Sequence, residues 1–115
     1  MDLKNLEKKL KINFNNKELL QQALTHKSYA YMHGIEDNER LEFLGDSVLN
    51  LVISENLYGR YPSYDEGKLT RMKSNLVNRK YLFLWAKKLS LGDYLLISGE
   101  EEAAGGRRKP SILSN

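Results

Sequence analysis

The stretch NERLEFLGDSVLNLV, residues 38–52, decides how the rest of this 115-residue chain is read. At about 100° per residue, Glu39, Glu42 and Asp46 fall within roughly 60° of one another on a helical wheel. Leu41, Leu44, Val48 and Leu51 lie on the opposite side, an apolar stripe expected to pack while the acidic face is offered outward. Glu42 and Asp46 stand one turn apart and repel each other, at a cost of about 0.2–0.5 kcal/mol in an isolated helix. A divalent cation reverses that sign. The plain alternative is a solvated acidic face on an amphipathic helix.

Three features of the same stretch favour a site. Gly45 stands inside the helix, where it costs about 1 kcal/mol relative to alanine, which suggests a close approach by another backbone or a ligand. Phe43 points away from the leucine stripe and lies beside the acidic face with Asn50, as an aromatic that meets a partner would. Asp37 or Asn38 is placed to cap the helix start, where Glu39 suits the positive end of the helix dipole. That last point gives Glu39 a purely local explanation as well.

Working outward, the chain reads as helices joined by short connections. Leu3, Leu6 and Leu10 mark a first helix, ended by the polar residues 13–16, and Leu19, Leu20, Ala23 and Leu24 mark a second; both stripes are expected in the core. His26 has no second histidine or cysteine at metal spacing, so a hydrogen-bonded structural histidine is the better reading. His33, beside Gly34, reads as an exposed loop residue. After the helix that carries the acidic stripe, Gly59 and Pro62 break the pattern and a new helix begins near Asp65, with Leu69, Met72 and Leu76 on its buried face. Asn78 is placed to cap another helix, whose Tyr81, Leu82, Trp85 and Leu89 read as core and which Gly92 stops. Residues 99–110, rich in glycine and charge, read as an exposed loop. No repeat, second domain or long linker is visible, and the fold class expected is all-α.

Composition narrows the setting. The length suits one domain with a modest core. The absence of cysteine excludes disulfides and thiolate metal sites. Apolar runs are too short to span a bilayer, and the amino terminus MDLKNLEKKL lacks the apolar centre of a signal peptide. A cytoplasmic protein with no membrane partner is expected. The net charge of +3 permits nucleic-acid binding but is weak evidence for it, because 18 basic residues are offset by 15 acidic ones.

The segment NERLEFLGDSVL resembles the signature motif of the ribonuclease III family, the double-stranded RNA endonucleases. The likeness continues through ALTHKSYA (residues 23–30), YPSYDEGKLTRMKSNLVN (61–78) and GGRRKPSIL (105–113). It covers nearly the whole chain and is to the bacterial full-length type. The resemblance implies a helical endonuclease domain over residues 1–115, and a homodimer that cuts both strands of an RNA duplex in tasks such as ribosomal and messenger RNA processing. It implies a magnesium cage, with manganese as a substitute, built on Glu42, Asp46 and a later Asp and Glu three residues apart. Direct hydrolysis by activated water needs no covalent nucleophile, which fits the absence of cysteine and of any Ser/His pair. Glu39 and Glu66 match acidic positions around the cleft and are given supporting catalytic roles. The family's use of the signature helix at its interface makes Phe43 the candidate dimer contact. Arg71, Lys73, Arg107 and Arg108 are candidate phosphate contacts, each equally readable as solvated surface.

One departure matters. Where the family reads ILAD, this chain reads Ile112-Leu113-Ser114-Asn115. Asn115 stands at the first Asp position and is taken as a third metal ligand, bringing a carbonyl oxygen but no charge. The Glu expected three residues later falls past the last residue, as do the covering helix and the double-stranded RNA-binding domain. The expectation is therefore an amino-terminal piece of the endonuclease domain, inactive by itself. The alternative is a non-catalytic RNA-binding or scaffold domain of the same fold.

Overall fold

Short polar side chains set where most helices begin. In the computed structural model, which describes residues 2–115, α1 spans Leu3–Leu10 and Asp2 accepts from the N–H of Lys4 at 2.9 Å. Asn16 caps α2, Lys17–Ala23, through the N–H of Leu19. The ring of His26 caps α3, Lys27–His33, which ends on Gly34 at φ 63°, a left-handed conformation suited to glycine. α4 runs over 22 residues, Glu39–Arg60. Asp65 caps α5, Glu66–Val77, through the N–H of Lys68, and Asn78 caps α6, Arg79–Lys88, through that of Tyr81. A 3-10 turn at Leu91–Tyr94, α7 at Gly99–Ala103, a second 3-10 turn at Gly106–Arg108 and α8 at Pro110–Leu113 complete the chain. The fold is all-α, and the starts expected near Asp65 and Asn78 are where the structure has them.

The core gathers at one end of the molecule. Leu6 of α1, Leu20 of α2, Ala86 of α6 and Leu113 of α8 are buried around Leu24, Tyr94, Leu95 and Ile97. Each fully buried leucine contributes about 2 kcal/mol. The extended residues 95–98 thread this cluster. Leu96 accepts from the N–H of His26 and donates to the carbonyl of Leu24, both at 2.9 Å, forming one parallel bridge between Thr25 and Leu96. Nothing in the sequence pattern announces that bridge. Glu7, buried on α1, accepts from the N–H of Phe14 and from Lys17, and the Lys17 hydrogen bond followed by that of Phe14 holds its carboxyl below the ordinary range.

Several apolar stripes expected in the core are on the surface. On α4, Leu44 is 59%, Val48 52% and Leu51 66% exposed, and Leu57 is the helix's one buried residue. α4 packs chiefly against α5, which buries no residue at all; Leu76 there is exposed while Leu69 and Met72 are half-buried. On α6 the buried residue is Ala86, whereas Tyr81 and Trp85 are exposed. Periodicity finds the apolar face of a helix but not what stands opposite it. With α4 and α5 projecting from the core, the molecule measures 51 × 31 × 24 Å. Its radius of gyration is 16.0 Å, against about 13 Å for a compact chain of this length.

Three local readings are also corrected. A Cβ on Gly45 meets nothing within 4 Å, so no backbone approaches it among the described residues. Gly92 does not end α6 but lies in the following 3-10 turn, where a Cβ would come to 2.1 Å from the carbonyl oxygen of Arg107. Residues 99–110 are mostly helical turns rather than an open loop, pinned by Arg107, whose Nη1 donates to the carbonyls of Gly92 at 3.0 Å and Leu95 at 2.7 Å.

Candidate active site

The first turn of α4 is held by two side chains. Asp37 accepts from the N–H of Glu39 at 2.9 Å and so serves as the cap. Asn38 makes no cap bond of its own. It donates instead to the carbonyl of Ala23, and its N–H reaches the carbonyl of Thr25, each at 3.0 Å. The acidic face is thereby registered against the end of α2 and the core behind it.

On that face Glu42 is half-buried, whereas Glu39 and Asp46 are exposed. Burial first, then the charges of Asp46 and Glu39, push the Glu42 carboxyl above its ordinary range, with Arg79 pulling the other way. Two shallow pockets of about 340 Å³ meet at Glu42. One holds Glu42, Asp46, Ser114 and Asn115 against an apolar wall that includes Leu82 and Trp85. The other is lined by Glu39, Glu42 and Asn115 together with His26, Lys27 and Lys109. Lys109 pairs with Glu101 at 2.9 Å, and that hydrogen bond lowers the Glu101 carboxyl.

The structure thus brings Glu39, Glu42, Asp46 and Asn115 to one region. Among the described residues, however, no group of three His, Cys, Asp or Glu side chains is gathered closely enough to hold a metal ion. The donors present are hard oxygens: two carboxylates one turn apart and an amide carbonyl. That set suits magnesium, which is commonly held by one or two carboxylates, with waters and substrate phosphates filling its octahedron. Sequence reading passed over Ser114, whose Oγ is buried in the pocket of Glu42 and Asp46 and has no hydrogen-bond partner among the described residues. Such an orphan is uncommon in a folded interior. Its signal was the serine at the alanine position of ILAD.

Other expected site residues lie elsewhere. Glu66, in the first turn of α5, lines a separate pocket with Tyr58, Tyr64 and Lys73; its position also suits the α5 dipole. Arg71 is exposed on the same helix, and Lys73 is half-buried. Arg107 spends its guanidinium on Gly92, Leu95 and Glu102, which gives it a structural task, while Arg108 is exposed. Phe43 is 78% exposed.

His26 is hydrogen-bonded as expected, but the expected absence of any Ser/His pair is corrected, because Ser28 stands beside it. Ser28 Oγ lies 2.8 Å from His26 Nδ1, the Ser28 N–H donates to the same nitrogen at 3.2 Å, and Ser28 Oγ accepts from the N–H of Ser98 at 3.0 Å. The hydroxyl is committed to this cap network. No helix of the described residues is long and apolar enough to cross a membrane.

With this geometry in place, comparison with known proteins is informative. A family model described as ribonuclease-III-like matches residues 16–115. The ribonuclease 3 of Wolinella succinogenes is 50% identical over 113 residues, 98% of this chain and 46% of that protein. The ribonuclease 3 of Sulfurovum sp. is 47% identical over 114 residues, 99% of this chain and 50% of that protein. The chain therefore spans about half the length of the curated relatives it matches. The nuclease domain of ribonuclease III from Campylobacter jejuni, in a structure described as flexible in a region involved in dimer formation, superposes with a TM-score of 0.90 at 46% identity, covering 98% of this chain and 77% of that one.

Proposed function

This chain belongs to the ribonuclease III family, and we propose that its full gene product is a magnesium-dependent endonuclease of double-stranded RNA. We place it in the cytoplasm, acting as a homodimer in the maturation of ribosomal and messenger RNA. The observation that carries the reading is that Glu42 and Asp46, on successive turns of α4, line one pocket with Asn115.

In this reading Glu42, Asp46 and the Asn115 carbonyl hold the cation, and Glu39 adds negative charge at the adjoining pocket. Bound magnesium, for which manganese substitutes, supplies a Lewis acid for the phosphate and a water made nucleophilic at neutral pH. The repulsion that raises the Glu42 carboxyl is relieved by a cation at the pair. No covalent protein nucleophile is used: the chain has no cysteine, and Ser28 is occupied by its cap network. Phe43, exposed beside the acidic face, is the proposed dimer contact, so that two sites face one duplex. Duplex RNA is read mainly through shape, phosphates and 2′-hydroxyls. Arg71, Lys73 and Arg108 are the proposed phosphate contacts on this chain.

The test is cleavage of a perfectly paired RNA by the full gene product. Cutting that requires magnesium and falls by about a hundredfold or more in Glu42→Gln or Asp46→Asn supports the reading. Duplex binding without cutting at any magnesium concentration supports the alternative, a non-catalytic RNA-binding domain, which the neutral Asn115 and the lack of a three-carboxylate group among the described residues favour.

A further inference from the structure

His26 lines the same pocket as Glu39 and Glu42, and its hydrogen bonds distinguish its two ring nitrogens. The backbone N–H of Ser28 donates to Nδ1. Because Nδ1 accepts from that N–H, the Ser28 hydroxyl 2.8 Å away donates to it as well, while its oxygen accepts from the N–H of Ser98. With two donors aimed at Nδ1, that nitrogen is the acceptor, and the neutral ring carries its proton on Nε2. Nε2 has no partner among the described residues. The His26 backbone is held in place by its N–H, which donates to the carbonyl of Leu96, and the ring by its bonds to Ser28.

We propose that His26 is a substrate contact, its Nε2–H donating to a non-bridging phosphate oxygen of the RNA strand that enters the pocket of Glu39 and Glu42. This rests on the nuclease reading above. An N–H donor in that pocket can bind a phosphate oxygen while the carboxylates of Glu39 and Glu42 are left to the cation. The same tautomer leaves Nε2 no lone pair, so His26 is not the general base.

Two substitutions separate this role from helix capping. Asparagine at 26 places an amide oxygen where Nδ1 was and is itself a favoured cap, but leaves nothing at the Nε2 position. Glutamine reaches the Nε2 position with an amide N–H and gives up the cap. Both are to be made in the full gene product and assayed on a paired RNA with magnesium, alongside thermal melts and duplex binding without magnesium. His26→Asn is expected to melt like the parent yet bind duplex about tenfold more weakly, with the loss in KM rather than kcat. Lys27→Ala, which removes a fixed charge from the same pocket, serves as the comparison and lowers the salt slope of binding by about one. His26→Gln is expected to melt lower but to keep cleavage within about threefold of the parent.

The proposal is overturned if His26→Asn binds and cuts like the parent while only His26→Gln is impaired, since capping then accounts for the residue. If the parent itself leaves duplex RNA intact, the nuclease reading fails first and this inference with it. Parent activity with a silent asparagine variant sinks the His26 contact alone.

Discussion

Asn38 donates from Nδ2 to the carbonyl oxygen of Ala23 at 3.0 Å, so the helix that carries the acidic face is fastened to α2 by one of the two residues that sequence reading offered as its cap. Asp37 does the capping. Asn38→Ala should cost about 1 kcal/mol in urea unfolding, as loss of one hydrogen bond does, and Asn38→Asp about 1–3 kcal/mol, because two acceptors would then face each other. Equal stability of the two variants would show that the bond to Ala23 is not what holds α4.

Glu42 should make the protein less stable at neutral pH than glutamine does. Its folded-state carboxyl is raised above 4.5 by burial and by Asp46 and Glu39, so the folded chain binds that proton more tightly than the unfolded chain. Stability from this group is therefore complete below the unfolded value and is lost as pH rises through the raised folded value. Glu42→Gln lacks that loss. Its melting temperature should match the parent in acid, separate over that window, and stay higher at neutral pH without magnesium. Saturating magnesium should narrow the gap by stabilising only the parent. A glutamine variant that melts lower at neutral pH would contradict this.

The two contrasting glycines predict opposite effects of one methyl group. At Gly45 a Cβ meets nothing, so Gly45→Ala should gain about 0.5–1 kcal/mol from helix propensity. At Gly92 a Cβ would press on the backbone of Arg107, and Gly92→Ala should lose about 1–3 kcal/mol. Denaturant midpoints on the two variants decide it.

Phe43 is the proposed dimer contact. Phe43→Asp should shift the full gene product from dimer to monomer at micromolar concentration in sedimentation velocity, with little change in helix content by circular dichroism. An unchanged sedimentation coefficient would remove Phe43 from the interface.

What could be read from the sequence followed the range of the interactions. Asp65 and Asn78 were legible as helix starts because a cap is settled within three residues of chain. The acidic stripe was legible because helical spacing alone puts Glu42 beside Asp46. The burial of Leu44, Val48 and Leu51 was misread because it depends on a facing surface that no local pattern encodes. Long-range ties were invisible for the same reason: Arg107 looks like a phosphate ligand until its guanidinium is seen holding Gly92 and Leu95. The place of Ser98 in the His26 network spans 70 residues of chain.

The projection of α4 and α5 from the core also bears on how this molecule breathes. With one buried residue on α4 and none on α5, their amides should exchange with deuterium sooner than those around Leu6, Leu24 and Ile97, opening as a separate cooperative unit. Glu39, Glu42 and Asp46 ride on that unit. Opening of that unit would carry the acidic face with it, so a molecule that clasps α4 would hold the constellation together as well as touch it.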